Sequence, residues 1–458
     1  MSDLSSVSKT QLQSQKQYSL YRAIWRWHFY AGLIALPFMI LLAVTGSLYL
    51  FKDEFNRNLY AERSVVEPQT TPPLSPDALV EAAVAAAPGS TPSNYQDPAA
   101  DDASAAVTLK TEGGKFLAFV DPYSGKVLKI FARSDEFGQV VRKVHSLAFF
   151  GDSTNKIIEA VGGFAMVLVV TGIYLWWPRT QSGGVYSLRG KPASRVFWRD
   201  LHAVTGAFAG LLIFFLALSG MPWSGFWGNQ LNQIANSMGA GYPEMLWDNV
   251  PTSSISTGEV LESSGWTVEN APMPLSATAG KTDQTISLQK AVEIARGLDI
   301  TRGFSVALPS GPEGVYSASI YPDDLDKQRM IHIDQYSGKA IIDLKFADYG
   351  AVAKAIEWGI NIHMGQEWGL VNQLIMLATC IAILLSSVAA AVMWWKRRPK
   401  GRLGVPPAPQ DKRVYVGLWI IAILFGIAFP ISGAAIATML VLDFCLIRWV
   451  PPLRRAFS

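Results

Sequence analysis

The chain has 458 residues, of which 50% are hydrophobic and only 16% charged. A soluble globular chain carries roughly 25% charged residues, so much of this one is expected to face lipid. A formal net charge of +3 is too weak to argue for a nucleic-acid partner, and two cysteines, Cys380 and Cys445, both inside apolar runs, leave neither a disulfide framework nor a zinc ribbon.

Crossing a hydrocarbon core of roughly 30 Å takes about 20 mainly apolar residues, and runs of that kind organise the whole chain. Residues 1–27 carry Lys9, Lys16, Arg22 and Arg26 against Asp3 alone and lead into a first span over 28–51. No clear small-x-small cleavage site follows that span, which is also too long for a signal-peptide core, so it reads as an uncleaved anchor. A loop over 52–144 holds more acidic than basic residues. The second span, 145–177, has an extension before its apolar part begins near 157, and a basic loop, 178–201, follows with Arg179, Arg189, Lys191, Arg195 and Arg199. A third span over 202–226, a second acidic loop over 227–362 and a fourth span over 363–395 come next. The basic stretch 396–413, an apolar hairpin over 414–448 turning at Pro430, and a tail over 449–458 complete the chain. If the helices alternate, every lysine- and arginine-rich segment falls on one side, which is then cytoplasmic. The expected architecture is an α-helical integral membrane protein with six transmembrane helices, both termini inside, and two α+β domains outside.

Four of those helices read as two copies of one unit. Trp25-Arg26-Trp27-His28 opens the first span, with Gly32 four and Gly46 eighteen residues past the histidine; Trp198-Arg199-Asp200-Leu201-His202 opens the third, with Gly206 and Gly220 at the same intervals. Each external loop contains one turn type, Asp121-Pro122-Tyr123-Ser124-Gly125-Lys126 and Asp334-Gln335-Tyr336-Ser337-Gly338-Lys339, beside strand-like runs at Phe116–Val120 and Met330–Ile333. Helix-like stretches precede them near 77–87 and 287–297. His145 lies 31 residues before Trp176-Trp177 and His363 lies 31 before Trp394-Trp395, with Gly151 and Gly369 each six past their histidine.

Placed on this topology, four of the five histidines fall at two levels. His28 and His202 begin outward-running spans near the cytoplasmic face, and His145 and His363 precede inward-running spans at the external face. Paired imidazoles on facing helices are what axial ligation of a haem iron requires, and Gly32, Gly206, Gly151, Gly365 and Gly369 would let a porphyrin approach the backbone. The bland reading is that such histidines hydrogen-bond to neighbours and fix helix packing; their matched positions in a repeat favour metal or haem, since ionisable residues in spans tend to be functional. Zinc fits less well, because each level supplies only two histidines with no cysteine nearby, and Asp200 and Glu367 are not matched between the copies. A continuous helix from His145 to Trp177 would measure on the order of 48 Å, which sets the outer pair at or above the lipid boundary, with Gly151-Asp152 as the point where the helix would break. Two six-coordinate haems at opposite faces suit the movement of single electrons. His332, which aligns with Phe119 of the first loop, reads as a domain or substrate residue.

These motifs resemble the PepSY-associated transmembrane-helix family, and within it the bacterial inner-membrane ferric-siderophore reductases, over about residues 20–400. The resemblance implies a PepSY fold, a helix on a small antiparallel sheet, for each external domain. It implies two haem b groups held by His28, His202, His145 and His363, and electron delivery to a periplasmic ferric siderophore whose iron is released as Fe(II). The hairpin over 414–448 has no counterpart in the repeat and is an accessory element.

No donor module is visible: no G-x-G-x-x-G follows a strand, and Gly280-Lys281-Thr282 lacks the glycine a phosphate loop needs, Leu275 standing in its place. Electrons are expected from a membrane quinol or a cytoplasmic reductase. Trp223, Trp227, Tyr242 and Trp247 either line an acceptor pocket or pack a domain, and the tryptophans at span ends suit interfacial anchoring. Two rivals come from other classes: a membrane-anchored binding or regulatory module, which would purify colourless, and an iron or siderophore transporter, which would lack redox activity.

Overall fold

The computed structural model describes residues 2–178, 183–261, 264–276, 284–409, 411, 413–442 and 449–457. Arg179, the Gly280-Lys281-Thr282 run, Lys412, Cys445 and Arg448 lie outside them. The chain divides into two compact units, one built from residues 1–48, 144–229 and 374–458, the other from residues 49–143 and 230–373.

The first unit is helical. Four helices are long and apolar enough to span a membrane: Ser19–Tyr49, Asn155–Trp176, Arg195–Trp223 and Leu370–Arg397. The first belongs to a longer helix, Ser2–Tyr49, so no helix starts at His28. The polar stretch before that histidine carries lysine, glutamine and arginine and holds neither glycine nor proline, so nothing in it terminates the helix. The second is also shorter than a 145–177 helix. Between His145 and Asn155 the backbone turns left-handed at Leu147 (φ 59°) and Gly151 (φ 117°), which no α-helix accommodates. Gly365 (φ 78°) and Gly369 (φ 57°) likewise delay the fourth until Leu370. Ser194 caps the third by accepting a hydrogen bond from the Phe197 amide at 3.4 Å.

The 414–448 segment forms two shorter helices, Val414–Ala428 and Pro430–Val441, of 15 and 12 residues. They pack so closely that a Cβ on Gly433 would stand 2.3 Å from Gly426 Cα. The hairpin rests on the second span, where a Cβ on Gly163 would meet Ser432 Oγ at 2.0 Å. Ala23, Trp27, Ala31 and Ala35 of the first span close this layer with Val161, Phe164, Leu418 and Ile436. Ala43, Ile213, Cys380 and Ile383 join the first, third and fourth spans.

The second unit is α+β. Strands β1 (Thr91–Gln96), β2 (Ala105–Thr111), β3 (Gly114–Val120) and β4 (Val127–Ala132) come from the first loop. From the second loop come β5 (Thr252–Ser256), β6 (Pro272–Pro274), β7 (Ser305–Ala307), β8 (Val315–Ile320), β9 (Arg329–Asp334) and β10 (Ala340–Lys345). The two loops do not make two separate sheets. β1 and β7 pair antiparallel through Asn94–Ala307, Tyr95–Val306 and Gln96–Ser305, giving one eight-stranded sheet in the order β10-β9-β8-β7-β1-β2-β3-β4. Each half would otherwise expose an unpaired edge, and pairing the edges removes both. Helices Pro76–Ala86 and Leu288–Gly297 cover one face, burying Leu79, Val80, Val292, Val107, Phe304 and Ile331 in a common core. β5 and β6 form a separate pair, and Trp247, Val268, Ala271, Met330 and Leu344 make a second core.

The two turns read from the sequence have one geometry. In the first, Asp121 Oδ1 accepts from the Tyr123 amide and its carbonyl from Gly125; in the second, Asp334 Oδ1 accepts from Tyr336 and its carbonyl from Gly338, all at 2.9–3.0 Å. Gly125 (φ 73°) and Gly338 (φ 69°) occupy the left-handed position such a turn requires.

Candidate functional site: a histidine pair in the helical unit

His28 lies in the first third of its span and His202 seven residues past the start of the third helix. Folding brings them together: their ring centroids are 6.0 Å apart with the planes inclined at 74°. Both residues are half-buried. His28 Nδ1 is 2.9 Å from Thr171 Oγ1 on the second span. His202 Nδ1 is 3.0 Å from the Ser386 carbonyl and 2.9 Å from its hydroxyl on the fourth. A Cβ on Gly172 would come within 3.3 Å of His28 Cε1, so the missing side chain lets the imidazole lie against the second span.

His145, half-buried, closes a helix that begins at Phe137 and places Nδ1 2.8 Å from Thr45 Oγ1 on the first span. A Cβ on the adjacent Gly46 would meet His145 Cε1 at 3.5 Å and Cys380 Sγ at 3.7 Å, so the two side chains flank one glycine. His363 ends the helix Ala351–His363 in the second unit.

Charge at the His28–His202 pair's end of the helices is strongly organised. Asp200, fully buried, takes an ion pair from Arg189 at 2.8 Å and another from Arg199. Arg26 donates to the Pro406 carbonyl at 2.6 Å and to the Tyr30 hydroxyl at 2.9 Å. Arg397 lies over the Trp25 and Phe29 rings at 5.1 and 5.4 Å. One carboxylate among these guanidinium groups leaves an excess of positive charge.

Two imidazoles sharing one metal from opposite sides, each through a bond of about 2 Å, bring their ring centroids to about 6 Å. The His28–His202 separation matches that figure. Among the described residues no group of three or more histidine, cysteine or carboxylate side chains gathers to hold an ion. Two nitrogen donors fill two positions of a metal and leave the rest to other donors. The glycines picked from the sequence behave unequally: Gly46 borders an imidazole, whereas Gly32 has Leu168 Cδ2 at 3.7 Å and Gly206 has Ser386 Oγ at 3.8 Å; Gly172, which borders His28, was not among them.

The aromatic quartet is divided between the units. Trp223, 46% exposed, and Trp227 belong to the helical one, where the Trp227 ring stacks on Phe429 at 5.4 Å and its indole donates to the Ala428 carbonyl. Tyr242 and Trp247 belong to the other, packed ring to ring at 5.0 Å in the second core, the Trp247 indole donating to the Pro272 carbonyl. His332 is wholly buried on β9; Ser317 Oγ is 2.7 Å from Nδ1, Nε2 has no hydrogen-bond partner among the described residues, and burial pushes the pKa down to about 3. The residues that sequence reasoning passed over are hydroxyls, Thr45, Thr171 and Ser386. Each of the two threonines stands directly before a glycine, Thr45-Gly46 and Thr171-Gly172, and that was the available signal.

Four apolar helices with an α+β unit define a membrane protein in which sheet and spans alternate along the chain. It belongs to the family of the PepSY-associated transmembrane region, whose family model matches residues 25–397. No curated protein matches the chain.

Proposed function

We propose that the protein is a di-haem oxidoreductase of a bacterial inner membrane, carrying electrons outward to reduce a periplasmic ferric siderophore and release Fe(II). The observation that carries this reading is the His28–His202 pair, with ring centroids 6.0 Å apart and both Nδ1 atoms occupied by neighbouring helices. Their Nε2 atoms would hold the inner haem b, and Arg26, Arg199 and Arg397 at the same end of the helices would hold its carboxylates. A haem held by two histidines exchanges single electrons and keeps no open position for oxygen. His145 and His363 take the same part for the outer haem, on the strength of their matched spacing.

The finer architecture belongs to the same proposal. It comprises six spans with both termini cytoplasmic, the first four from an internal duplication, and PepSY-like external domains. The shared turn at Asp121 and Asp334, each in a half-sheet with its own helix, supports the duplication. A membrane quinol or a cytoplasmic reductase supplies the electrons, and Trp223, Trp227, Tyr242 and Trp247 remain the proposed acceptor contacts.

The test is the absorption spectrum of the purified protein with haem quantification. The reading expects a reducible Soret and α-band signal from about two haems per chain. His28→Ala should remove one haem and leave the other, and ferric chelates should reoxidise the reduced protein under anaerobic conditions. A colourless protein would point to a membrane-anchored binding module. Haem that ferric chelates cannot reoxidise would leave the electron-transfer role and overturn the substrate.

A further inference from the structure

Hydrogen-atom accounting around three of the histidines gives one tautomer. The Thr171 hydroxyl has a single proton, and it goes to the Val167 carbonyl at 2.6 Å. Toward His28, Thr171 Oγ1 can then only accept, so His28 Nδ1 carries the proton and donates it. Thr45 repeats the arrangement: its proton goes to the Leu41 carbonyl at 2.6 Å, and its oxygen accepts from His145 Nδ1. For His202 the partner includes the Ser386 carbonyl, which accepts and never donates, so Nδ1 again carries the proton. In each neutral ring Nε2 is left with a lone pair. The support comes every time from a different span: the second for His28, the first for His145, the fourth for His202.

We infer that Thr171, Thr45 and Ser386 are positioning residues that lock His28, His145 and His202 with the proton on Nδ1 and Nε2 presented as the donor atom. The inference deepens the haem reading and rests on it. An imidazole free to rotate or to exchange tautomers would present a lone pair only part of the time. A hydroxyl that is itself hydrogen-bonded to a helix carbonyl is a polarised acceptor, so it makes the ring a better electron donor through Nε2. The same threonine device at His28 and His145, serving two different pairs, predicts separate effects on the two centres.

The experiment uses the full chain in detergent and reads haem retention and midpoint potentials by spectroelectrochemistry. Thr171→Val keeps the shape and removes the acceptor. It is expected to weaken retention of one haem about 10- to 100-fold and to move that centre's potential upward, because a less basic ligand favours ferric iron less. A tenfold loss of that preference reads as about 59 mV. Thr171→Ser should restore both values, which a mere packing defect would not allow. Thr45→Val should act on the other centre, and stands as the readout if Thr171→Val fails to fold. Wild-type protein purifying without haem overturns the functional reading and this inference with it. Wild-type protein with haem, and valine variants with unchanged retention and potentials, overturns this inference alone.

Discussion

Acid should selectively weaken the sheet at His332. His332 is wholly buried on β9, the strand between β8 and β10, its Nδ1 is engaged with Ser317, and among the described residues Nε2 has no hydrogen-bond partner. Burial lowers its pKa from 6.5 to about 3. Between those values the unfolded chain binds a proton that the folded chain refuses, so stability is present above pH 6.5 and is lost as pH falls toward 3. At pH 5 the solution is about 1.5 units below the unfolded side chain's pKa of 6.5, worth about 2 kcal/mol at roughly 1.4 kcal/mol per unit. The measurement is urea denaturation of the full chain in detergent at pH 7.5 and pH 5.0, for wild type and His332→Gln, which retains a polar side chain but does not titrate. Subtracting the variant's pH effect removes the contributions of all other groups. A residual loss of about 2 kcal/mol is expected; equal losses in the two proteins would refute the account.

The helical unit makes its own predictions. Gly163→Val drives carbon into Ser432 Oγ, which already stands 2.0 Å from a bare Cβ position, and should cost about 1–3 kcal/mol in detergent unfolding while leaving the Thr45–His145 contact in place. Asp200→Asn strips a buried partner from Arg189 and Arg199. Because those side chains are 36% and 42% exposed, the loss should fall to about 2 kcal/mol, below the range for fully buried pairs, and should shrink in high salt. Gly46→Leu fills the space flanked by His145 and Cys380 and should deplete one haem in the pyridine haemochrome assay, whereas Gly206→Ala, whose nearest atom is 3.8 Å away, should not.

The periodic features were legible from the chain alone. Apolar runs marked the four long helices, and the helices Pro76–Ala86 and Leu288–Gly297 fall where their amphipathic or alanine-rich stretches suggested. The aspartate turns were readable because a turn draws its hydrogen bonds from residues within five positions of one another, so composition and geometry coincide locally. Repeated spacing singled out His28, His202, His145 and His363, since equal intervals can be counted along the chain without any structure.

What the tertiary structure decided depends on contacts between distant parts of the chain. Sequence spacing put His28 and His202 at one level, but only packing set their rings 6.0 Å apart and supplied Thr171 and Ser386 to their Nδ1 atoms. A threonine bonded to the carbonyl four residues back looks the same in sequence whether or not an imidazole lies beside it. The joining of β1 to β7 is likewise invisible in either loop read singly, because an edge strand's free hydrogen bonds do not name their partner. The helix ends near His145 and His363 were set by left-handed backbone at Leu147, Gly151, Gly365 and Gly369, a conformation that glycine permits without requiring. Local hydrogen bonding and hydrophobic period are written residue by residue; the meeting of side chains from separate helices is a property of the packed molecule.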